Sequence, residues 1–267
     1  MQLHCDRRGA GLPILCLHGH PGSSRTMGVF CEALAGQYQT LAPDLRGYGL
    51  SRTRTPFQLD EHLNDLVELL DYYAIDRCVV LGWSLGGILA LELALRYPGR
   101  VLGLILVATA ARPVGNHPPT TWVEALNTGL ASILNLAVPG HPWIIQHLGE
   151  RSLYRYLLGQ HTPYAYRRLA QEGFGAYLAT SRYANRALNQ ALARRYNRVP
   201  DLGTIHQPCL VLWGEQDCHI TAQASLETAT HLPNAEGHQY PNTAHLLPWE
   251  IPDVLMADVK AWLNRHT

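Results

Sequence analysis

The serine at position 84 has the surroundings that point most directly to chemistry. It lies within Gly82-Trp83-Ser84-Leu85-Gly86, between an apolar run typical of a β-strand and an apolar run typical of a helix. A serine hydroxyl at the tip of a tight strand-to-helix turn needs a strained backbone, and its neighbours two positions away must lack side chains that would collide. Gly82 and Gly86 meet that need. The pattern therefore predicts a nucleophilic serine, exposed on a turn.

Two backbone amides are predicted to stabilise the negative oxygen that forms when such a serine attacks an ester. The helix that begins at Leu85 directs its free amides and its positive dipole end towards that oxygen. The second amide is expected from His20, in the loop that follows the apolar run 13–17. We expect the side chains of His18 and His20 only to pack or to hydrogen-bond locally. Trp83, beside the nucleophile, could line the substrate pocket or only pack.

A serine hydroxyl also needs a base within hydrogen-bond reach and a group that fixes the tautomer of that base. His245 is the predicted base because it lies in the loop after the last predicted strand, 236–240. His238 lies inside that strand and is expected to be packed. His219 is a second histidine near the predicted site and therefore a competing assignment.

The predicted acid is Asp217, which follows the strand 207–213 at the position where a loop carboxylate can turn back to an imidazole. Glu215 is the alternative, but it lies closer to the strand. Asp44, in a segment rich in turn-forming residues, could be a catalytic carboxylate. We expect it instead to hold its turn through backbone amides.

The elements that must position these residues alternate between strand and helix. Short apolar runs predict buried strands, and apolar residues at helical spacing predict the helices between them. The alternation indicates an α/β fold with a parallel sheet. The predicted order is strand 13–17, helix 26–35, strand 40–42, helix 59–73, strand 79–83, helix 85–96, strand 101–107, strand 207–213, helix 222–231, strand 236–240 and a last helix.

The alternation is interrupted between residues 112 and 199, where the sequence is helical, aromatic and rich in arginine. Ten arginines and three glutamates give this segment a net charge of +7 with histidine neutral. An insertion after a core strand is typical of a lid over the strand ends, where open parallel sheets bind ligands. We therefore predict a core of residues 1–111 and 200–267 and a helical lid, or cap, of residues 112–199.

Composition excludes several function classes. The chain has 21 basic and 21 acidic residues, which argues against binding to nucleic acid. The six cysteines show no paired spacing of the kind that binds metals, and three of them lie in apolar runs. The first residues lack an apolar signal region, and the longest apolar run is too short to cross a bilayer. We expect a cytoplasmic protein with no metal.

Over nearly its full length the chain resembles the α/β-hydrolase fold superfamily. The matching motifs are His18-Gly19-His20-Pro21-Gly22, Asp44-Leu45-Arg46-Gly47-Tyr48-Gly49-Leu50-Ser51, Gly82-Trp83-Ser84-Leu85-Gly86-Gly87, Gly214-Glu215-Gln216-Asp217, and His245 before Pro248. The chain order Ser, Asp, His is also that of the superfamily. The resemblance implies a doubly wound, mostly parallel sheet with an inserted lid. It also implies a cofactor-free hydrolase with the triad Ser84, Asp217 and His245.

The resemblance also limits the range of expected activities. Ser84 argues against the epoxide hydrolase and haloalkane dehalogenase branches, which have an aspartate at that position. The form Gly-Trp-Ser-Leu-Gly-Gly is similar to the elbow of carboxylesterases that cleave the methyl ester of pimeloyl carrier protein. In that group lid arginines dock the acidic carrier, and the +7 lid is compatible with such a partner. The expected function is therefore serine-dependent hydrolysis of a carboxylic ester.

Three alternatives remain open at the level of sequence. The same triad can hydrolyse a carbon–carbon bond in a ketone. It can also serve a lyase like the menaquinone-pathway synthase, in which Ser84 need not be acylated. A non-catalytic ligand receptor on a hydrolase fold is the third alternative.

Overall fold

One seven-stranded sheet forms the centre of the molecule. The computed structural model describes residues 1–267. Six of the strands run parallel, and only β1 is antiparallel to its neighbour β3. The strands are β1 (Cys5–Arg8), β2 (Pro13–Leu17), β3 (Gln39–Pro43), β4 (Cys78–Trp83), β5 (Val101–Val107), β6 (Cys209–Gly214) and β7 (Ala235–Tyr240). Their order across the sheet is β1-β3-β2-β4-β5-β6-β7.

The helices fall into two groups, those that cover the sheet and those inserted between β5 and β6. The covering helices are α1 (Gly28–Leu34), α2 (Glu61–Tyr72), α3 (Leu85–Arg96), α9 (Ala222–His231), α10 (Leu247–Glu250) and α11 (Pro252–His266). The inserted helices are α4 (Trp122–Ala137), α5 (Pro142–His147), α6 (Pro163–Arg168), α7 (Phe174–Leu178) and α8 (Arg182–Ala193).

The central strands are apolar throughout because both faces of the sheet are covered. Along β4, Val80 packs into the hydrophobic cluster that also contains residues of α2 and α3. Its neighbours Val79 and Leu81 pack into the cluster on the opposite face, with residues of α1 and α11. Side chains of a strand point alternately to the two faces, so two buried faces require a continuous apolar run. This confirms the α/β class and the doubly wound, mostly parallel sheet.

Most predicted elements are present, several with bounds shifted by one or two residues, and four features differ from the expectations. The strand β1 was not predicted. The predicted helix 26–35 begins as a 3₁₀ turn over Ser24–Met27 before α1. The predicted loop before the last helix contains the single turn α10. The expectation that His238 is packed is wrong: β7 is the last strand of the sheet, and the partly exposed His238 lies 3.2 Å from Asp258.

The segment 112–199 contains helices and turns but no strand, and α4 to α8 all lie in it. Residues 112–121, at its start, form no regular element. Its treatment as a separate lid stays a prediction. None of the helices, in this segment or in the core, is long and apolar enough to cross a bilayer.

Candidate active site

Ser84 occupies the strained turn that the sequence predicts. It connects β4 directly to α3. Its backbone has φ +54° and ψ −116°, a conformation that residues other than glycine rarely adopt. The Ser84 amide donates to the carbonyl of Val107 at 2.9 Å, and the Thr109 hydroxyl donates to the carbonyl of Ser84 at 2.8 Å. These two bonds to the end of β5 and the residues after it hold the turn in place.

The glycines around Ser84 are required by close backbone contacts. A Cβ atom on Gly82 would collide with the carbonyl oxygen of Gly86, and one on Gly86 would collide with the carbonyl oxygen of Leu17. Both obstacles are backbone atoms, which cannot move aside as a flexible side chain can. The spacing of the glycines is therefore a steric condition for the turn.

We expect Gly86→Ala to lower the unfolding free energy by at least about 2 kcal/mol, because a methyl group must displace the backbone of β2. Gly129→Ala is the matched control, since a Cβ there meets nothing within 4 Å in the middle of α4. That change should be neutral or stabilise by up to about 1 kcal/mol. Urea denaturation of the two variants measures the difference. Equal stability of the two would contradict the steric argument.

The structure brings Ser84, His245 and Asp217 together. His245 Nε2 lies 3.1 Å from Ser84 Oγ, and His245 Nδ1 lies 2.8 Å from Asp217 Oδ2. In the neutral imidazole, Nδ1–H donates to the carboxylate, which leaves Nε2 free to accept from the serine hydroxyl. All three residues are buried. This geometry would allow a proton to pass from the serine to a histidine held by a carboxylate, and we call the three side chains the relay.

Asp217 is itself fixed by the loop that follows β6. Its Oδ1 accepts from the amides of His219 at 2.8 Å and Ile220 at 3.0 Å, so only Oδ2 faces the imidazole. Glu215, the alternative acid, is exposed and accepts instead from the amide of Asn242 at 3.2 Å. The geometry therefore favours Asp217.

The loop that carries the predicted oxyanion amide of His20 lies against Ser84. A Cβ on Gly19 would stand 3.2 Å from the Cβ of Ser84. The buried ring of His18 locks the loop, because Nδ1–H donates to the carbonyl of Gly19 at 2.8 Å and Nε2 accepts from the amide of Leu45 at 3.0 Å. Burial lowers the pKa of His18 to about 4, which keeps the ring neutral for these two bonds.

The amides of His20 and Leu85 have the features that the predicted role needs. Leu85 is the first residue of α3, where the amide has no acceptor within the helix. The His20 side chain lies 2.8 Å from the Tyr48 hydroxyl, as expected for a local contact. Burial lowers the pKa of His20. The use of the two amides as an oxyanion hole stays a prediction.

Trp83 contacts the backbone of His245. Its indole N–H donates to the carbonyl of His245 at 3.2 Å, and its ring packs edge-on against Trp249. The side chain is buried. It therefore holds the backbone of the histidine loop, whereas its predicted place in the pocket lining remains untested.

His219 lies beside the relay but does not replace His245 in it. Its ring meets the His245 ring edge to face, with centroids 4.6 Å apart, and its Nδ1 lies 2.8 Å from His117 Nε2. Desolvation and repulsion from His245 lower the pKa of His219, although the residue is exposed at the surface. A neutral ring at this position adds no charge beside the relay. No group of three or more possible metal ligands occurs.

Asp44 has the structural role that the sequence predicts. Its carboxylate accepts from the amides of Ser24 at 2.6 Å and Leu50 at 2.8 Å, and it lies 3.2 Å from His4 Nδ1. These contacts join the turn after β3 to the loop that begins α1.

Glu250 is a buried carboxylate near the relay that the sequence reasoning missed. It accepts from the amide of Ala244, next to His245, at 3.0 Å. It also accepts from the amides of Gly159 and Gln160, in the inserted segment, both at 2.8 Å. It thus joins the histidine loop to the insertion. Its residue type and its position five residues after His245 carry no signal of this role.

The stability of the protein should depend on pH through Glu250. Burial raises the pKa of Glu250 to about 7, above its ordinary value of 4.5, although three backbone amides oppose the rise. The folded state therefore holds this proton more tightly than the unfolded state. The resulting stabilisation is complete below pH 4.5 and is lost as the pH rises through about 7, on the order of 3 kcal/mol.

We expect Glu250→Gln to flatten this part of the stability profile, because glutamine does not titrate. Urea midpoints measured between pH 4.5 and 7.5 would show it, with exposed Glu150→Gln as the control that keeps the wild-type slope. A wild-type slope in the Glu250 variant would show that this carboxylate does not bind its proton as the structure implies.

Comparison with known proteins relates the chain to one fold and to several hydrolytic activities. A family model described as the alpha/beta hydrolase fold matches residues 13–137. The chain is 26% identical to haloalkane dehalogenase 2 of Mycobacterium tuberculosis, over 97% of this chain and 90% of that protein. It is 28% identical to the pimeloyl-[acyl-carrier protein] methyl ester esterase of a Shewanella species, over 92% of this chain and 90% of that protein.

Among solved structures, the enol-lactonase of Burkholderia xenovorans superposes with a TM-score of 0.75 at 20% identity. The match covers 98% of this chain and 96% of that one, which shows that the two share a fold. The family match includes β2 to β5 with the Ser84 turn, and the relatives align along almost the whole chain. The chain has an α/β-hydrolase fold, and the two relatives named above, which it resembles along almost its whole length, are hydrolases.

Proposed function

We propose that this hydrolase cleaves carboxylic esters through an acyl intermediate on Ser84. The observation that carries the proposal is the continuous relay from Ser84 Oγ through the His245 imidazole to Asp217, with separations of 3.1 and 2.8 Å. A serine in such a relay becomes nucleophilic at neutral pH because the imidazole accepts its proton as the new bond forms.

The proposed reaction has two halves. Ser84 Oγ attacks the ester carbonyl, His245 Nε2 takes the hydroxyl proton, and the amides of His20 and Leu85 bind the oxyanion. His245 then protonates the leaving alcohol, and the acyl group remains on the serine. Water attacks this acyl-serine with His245 again as base, which releases the acid and restores the enzyme.

The serine also separates this proposal from the chemistry named for some relatives. A serine oxygen that displaced a halide from carbon would form an ether, which water does not cleave under enzyme conditions. A carboxylate in that position forms an ester, which water can hydrolyse. A haloalkane would therefore inactivate a Ser84 enzyme after a single event, although dehalogenase 2 is among its relatives. Carbonyl substrates suit the observed nucleophile.

Hydrolysis of para-nitrophenyl acetate and butyrate tests the proposal. We expect rapid turnover with a burst of nitrophenol when deacylation is the slower half. Little turnover of either ester would instead favour a carbon–carbon bond hydrolase, a lyase or a receptor. A vinylogous ketone substrate and a ligand-binding assay would then distinguish these alternatives.

A methyl ester on an acyl carrier protein is a second candidate substrate, suggested by the Shewanella relative and by the +7 charge of residues 112–198. Docking of an acidic carrier on exposed arginines would depend on charge, so added salt should weaken activity on the carrier-bound ester. Salt should have little effect on the corresponding free methyl ester. An equal response of both substrates would remove this candidate.

A further inference from the structure

Helix α4 is packed with its polar face inward. The residues that face the protein include Glu124, Asn127, Ser132 and Asn135, and each makes a hydrogen bond to the inserted segment. The bonds are Tyr156 Oη to Glu124 Oε1 at 2.9 Å, Asn127 Nδ2 to Arg151 O at 3.0 Å, Ser132 Oγ with Tyr154 Oη at 2.7 Å, and Asn135 Nδ2 to Tyr166 O at 2.6 Å. A fully bonded inner face means that the sequence specifies this orientation.

The outer face of the same helix is apolar and exposed. Trp122 is 77% exposed and Ile133 is 63% exposed, and the other large side chains of this face are Val123, Leu126, Leu130, Leu134 and Leu136. At about 100° per residue, these seven positions span about 160° of the helix circumference. The usual arrangement of a surface helix is the reverse, with the apolar stripe turned to the core. An apolar surface of this extent indicates a binding partner.

The width of the apolar arc argues for lipid over a second protein helix. A helix that packs against another uses a stripe about 100° wide, which would leave roughly 60° of this apolar arc in water. Acyl chains conform to any shape, so a helix half-sunk in a bilayer surface covers a broad arc. Trp122 begins α4, and exposed Trp143 lies just beyond its end, on α5. Tryptophan is favoured at the boundary between acyl chains and headgroups.

The charged residues around α4 indicate which class of lipid the helix would bind. α4 itself exposes no acid, because its single acidic residue, Glu124, is buried. Arg151 and Arg167 are exposed at its flanks, the first bonded through its carbonyl to Asn127 and the second beside Gly140. The whole segment carries +7. We propose that the outer face of α4 docks on the surface of a bilayer that contains anionic lipids.

Docking in this way would bring the candidate active site close to the membrane surface. Glu124, in the first turn of α4, is bonded to Tyr156, whose carbonyl accepts from the Cys218 thiol at 3.3 Å. Cys218 adjoins Asp217 of the relay. The helix is thus connected to the site by two side-chain contacts.

The distribution of tryptophan makes docking directly measurable. Of the six tryptophans, Trp122 and Trp143 are the exposed ones, and the other four are at most 4% exposed. Vesicles of phosphatidylcholine and phosphatidylglycerol with brominated acyl chains should quench the emission of these two residues and leave the buried four unchanged. Ser84→Ala should bind as wild type does, so the result is independent of the proposed catalysis.

The double variant Leu126→Ser/Ile133→Ser removes two exposed side chains, and we expect it to weaken binding at least about tenfold. Val254→Ser is the matched control, since Val254 is 55% exposed on α11 and should not affect binding. Circular dichroism would establish that both variants are folded. Quenching that is lost only in the α4 variant supports the proposal.

Several results would overturn it. One is the absence of quenching by the mixed vesicles. Another is an affinity for vesicles of phosphatidylcholine alone that equals the affinity for the mixed vesicles, because the proposal requires anionic lipid. A third is a wild-type dimer in solution that the α4 substitutions dissociate while vesicles bind nothing, because the face would then be covered by a second copy of the chain.

Discussion

We expect Ser84→Ala to lower kcat/KM for para-nitrophenyl butyrate by about 10⁴-fold or more. The substitution removes the oxygen that would form the acyl bond, and no other hydroxyl lies within reach of His245 Nε2 among the hydrogen bonds of the site. The dissociation constant of the substrate should change little, because the serine contributes to the transition state more than to binding. Stopped-flow and steady-state kinetics on the two proteins measure the effect.

A matched control is available in Ser225. This serine is also buried, but its hydroxyl donates to the carbonyl of Thr109 at 3.0 Å and takes no part in the relay. Ser225→Ala should keep activity close to wild type. If Ser84→Ala also kept most of its activity, the reaction could not proceed through an acyl-serine. That result would favour the lyase or receptor alternatives.

Asp217→Asn should lower kcat by about 10³- to 10⁴-fold without unfolding the protein. The reason lies in the two amides of His219 and Ile220 that donate to Oδ1. The asparagine oxygen would stay on those amides, which turns the side-chain NH₂ towards His245 Nδ1. That nitrogen would then have to accept, so the imidazole proton would move to Nε2. The nitrogen that faces Ser84 could no longer take its proton.

The control for Asp217 is Glu215→Gln, which removes the charge of the neighbouring carboxylate outside the relay. Its kcat should remain near the wild-type value. A downfield proton resonance from His245 Nδ1–H should be present in wild type and in Glu215→Gln and absent in Asp217→Asn. Loss of activity in Glu215→Gln with retention in Asp217→Asn would reverse the assignment of the acid.

The central elements could be predicted from the sequence because burial on two faces leaves a strong pattern. β2, α3 and β5 have the predicted bounds, and β4 begins one residue earlier. The Ser84 turn was equally predictable, since glycine is the residue that its backbone contacts permit. His245 and Asp217 followed from the rule that loops at the same edge of a parallel sheet converge.

Other features depend on contacts that no local pattern encodes. β1 is a short, polar edge strand that pairs only with β3, so it lacks the apolar run by which the inner strands were recognised. Glu250 is bound by amides that are 6 and about 90 residues away along the chain. The inward polar face of α4 is likewise set by partners in the inserted segment, and helical periodicity alone would place its apolar face inside.

Detection of the acyl group on Ser84 tests the central claim most directly. Wild-type protein would be mixed with a slowly deacylating ester, quenched in acid, digested with trypsin and examined by mass spectrometry. The peptide Cys78–Arg96 has Ser84 as its single serine. We predict that this peptide gains the mass of the acyl group on Ser84 and that the corresponding peptide of Ser84→Ala gains nothing. Continued turnover with no acyl group on Ser84 at any time would contradict the account.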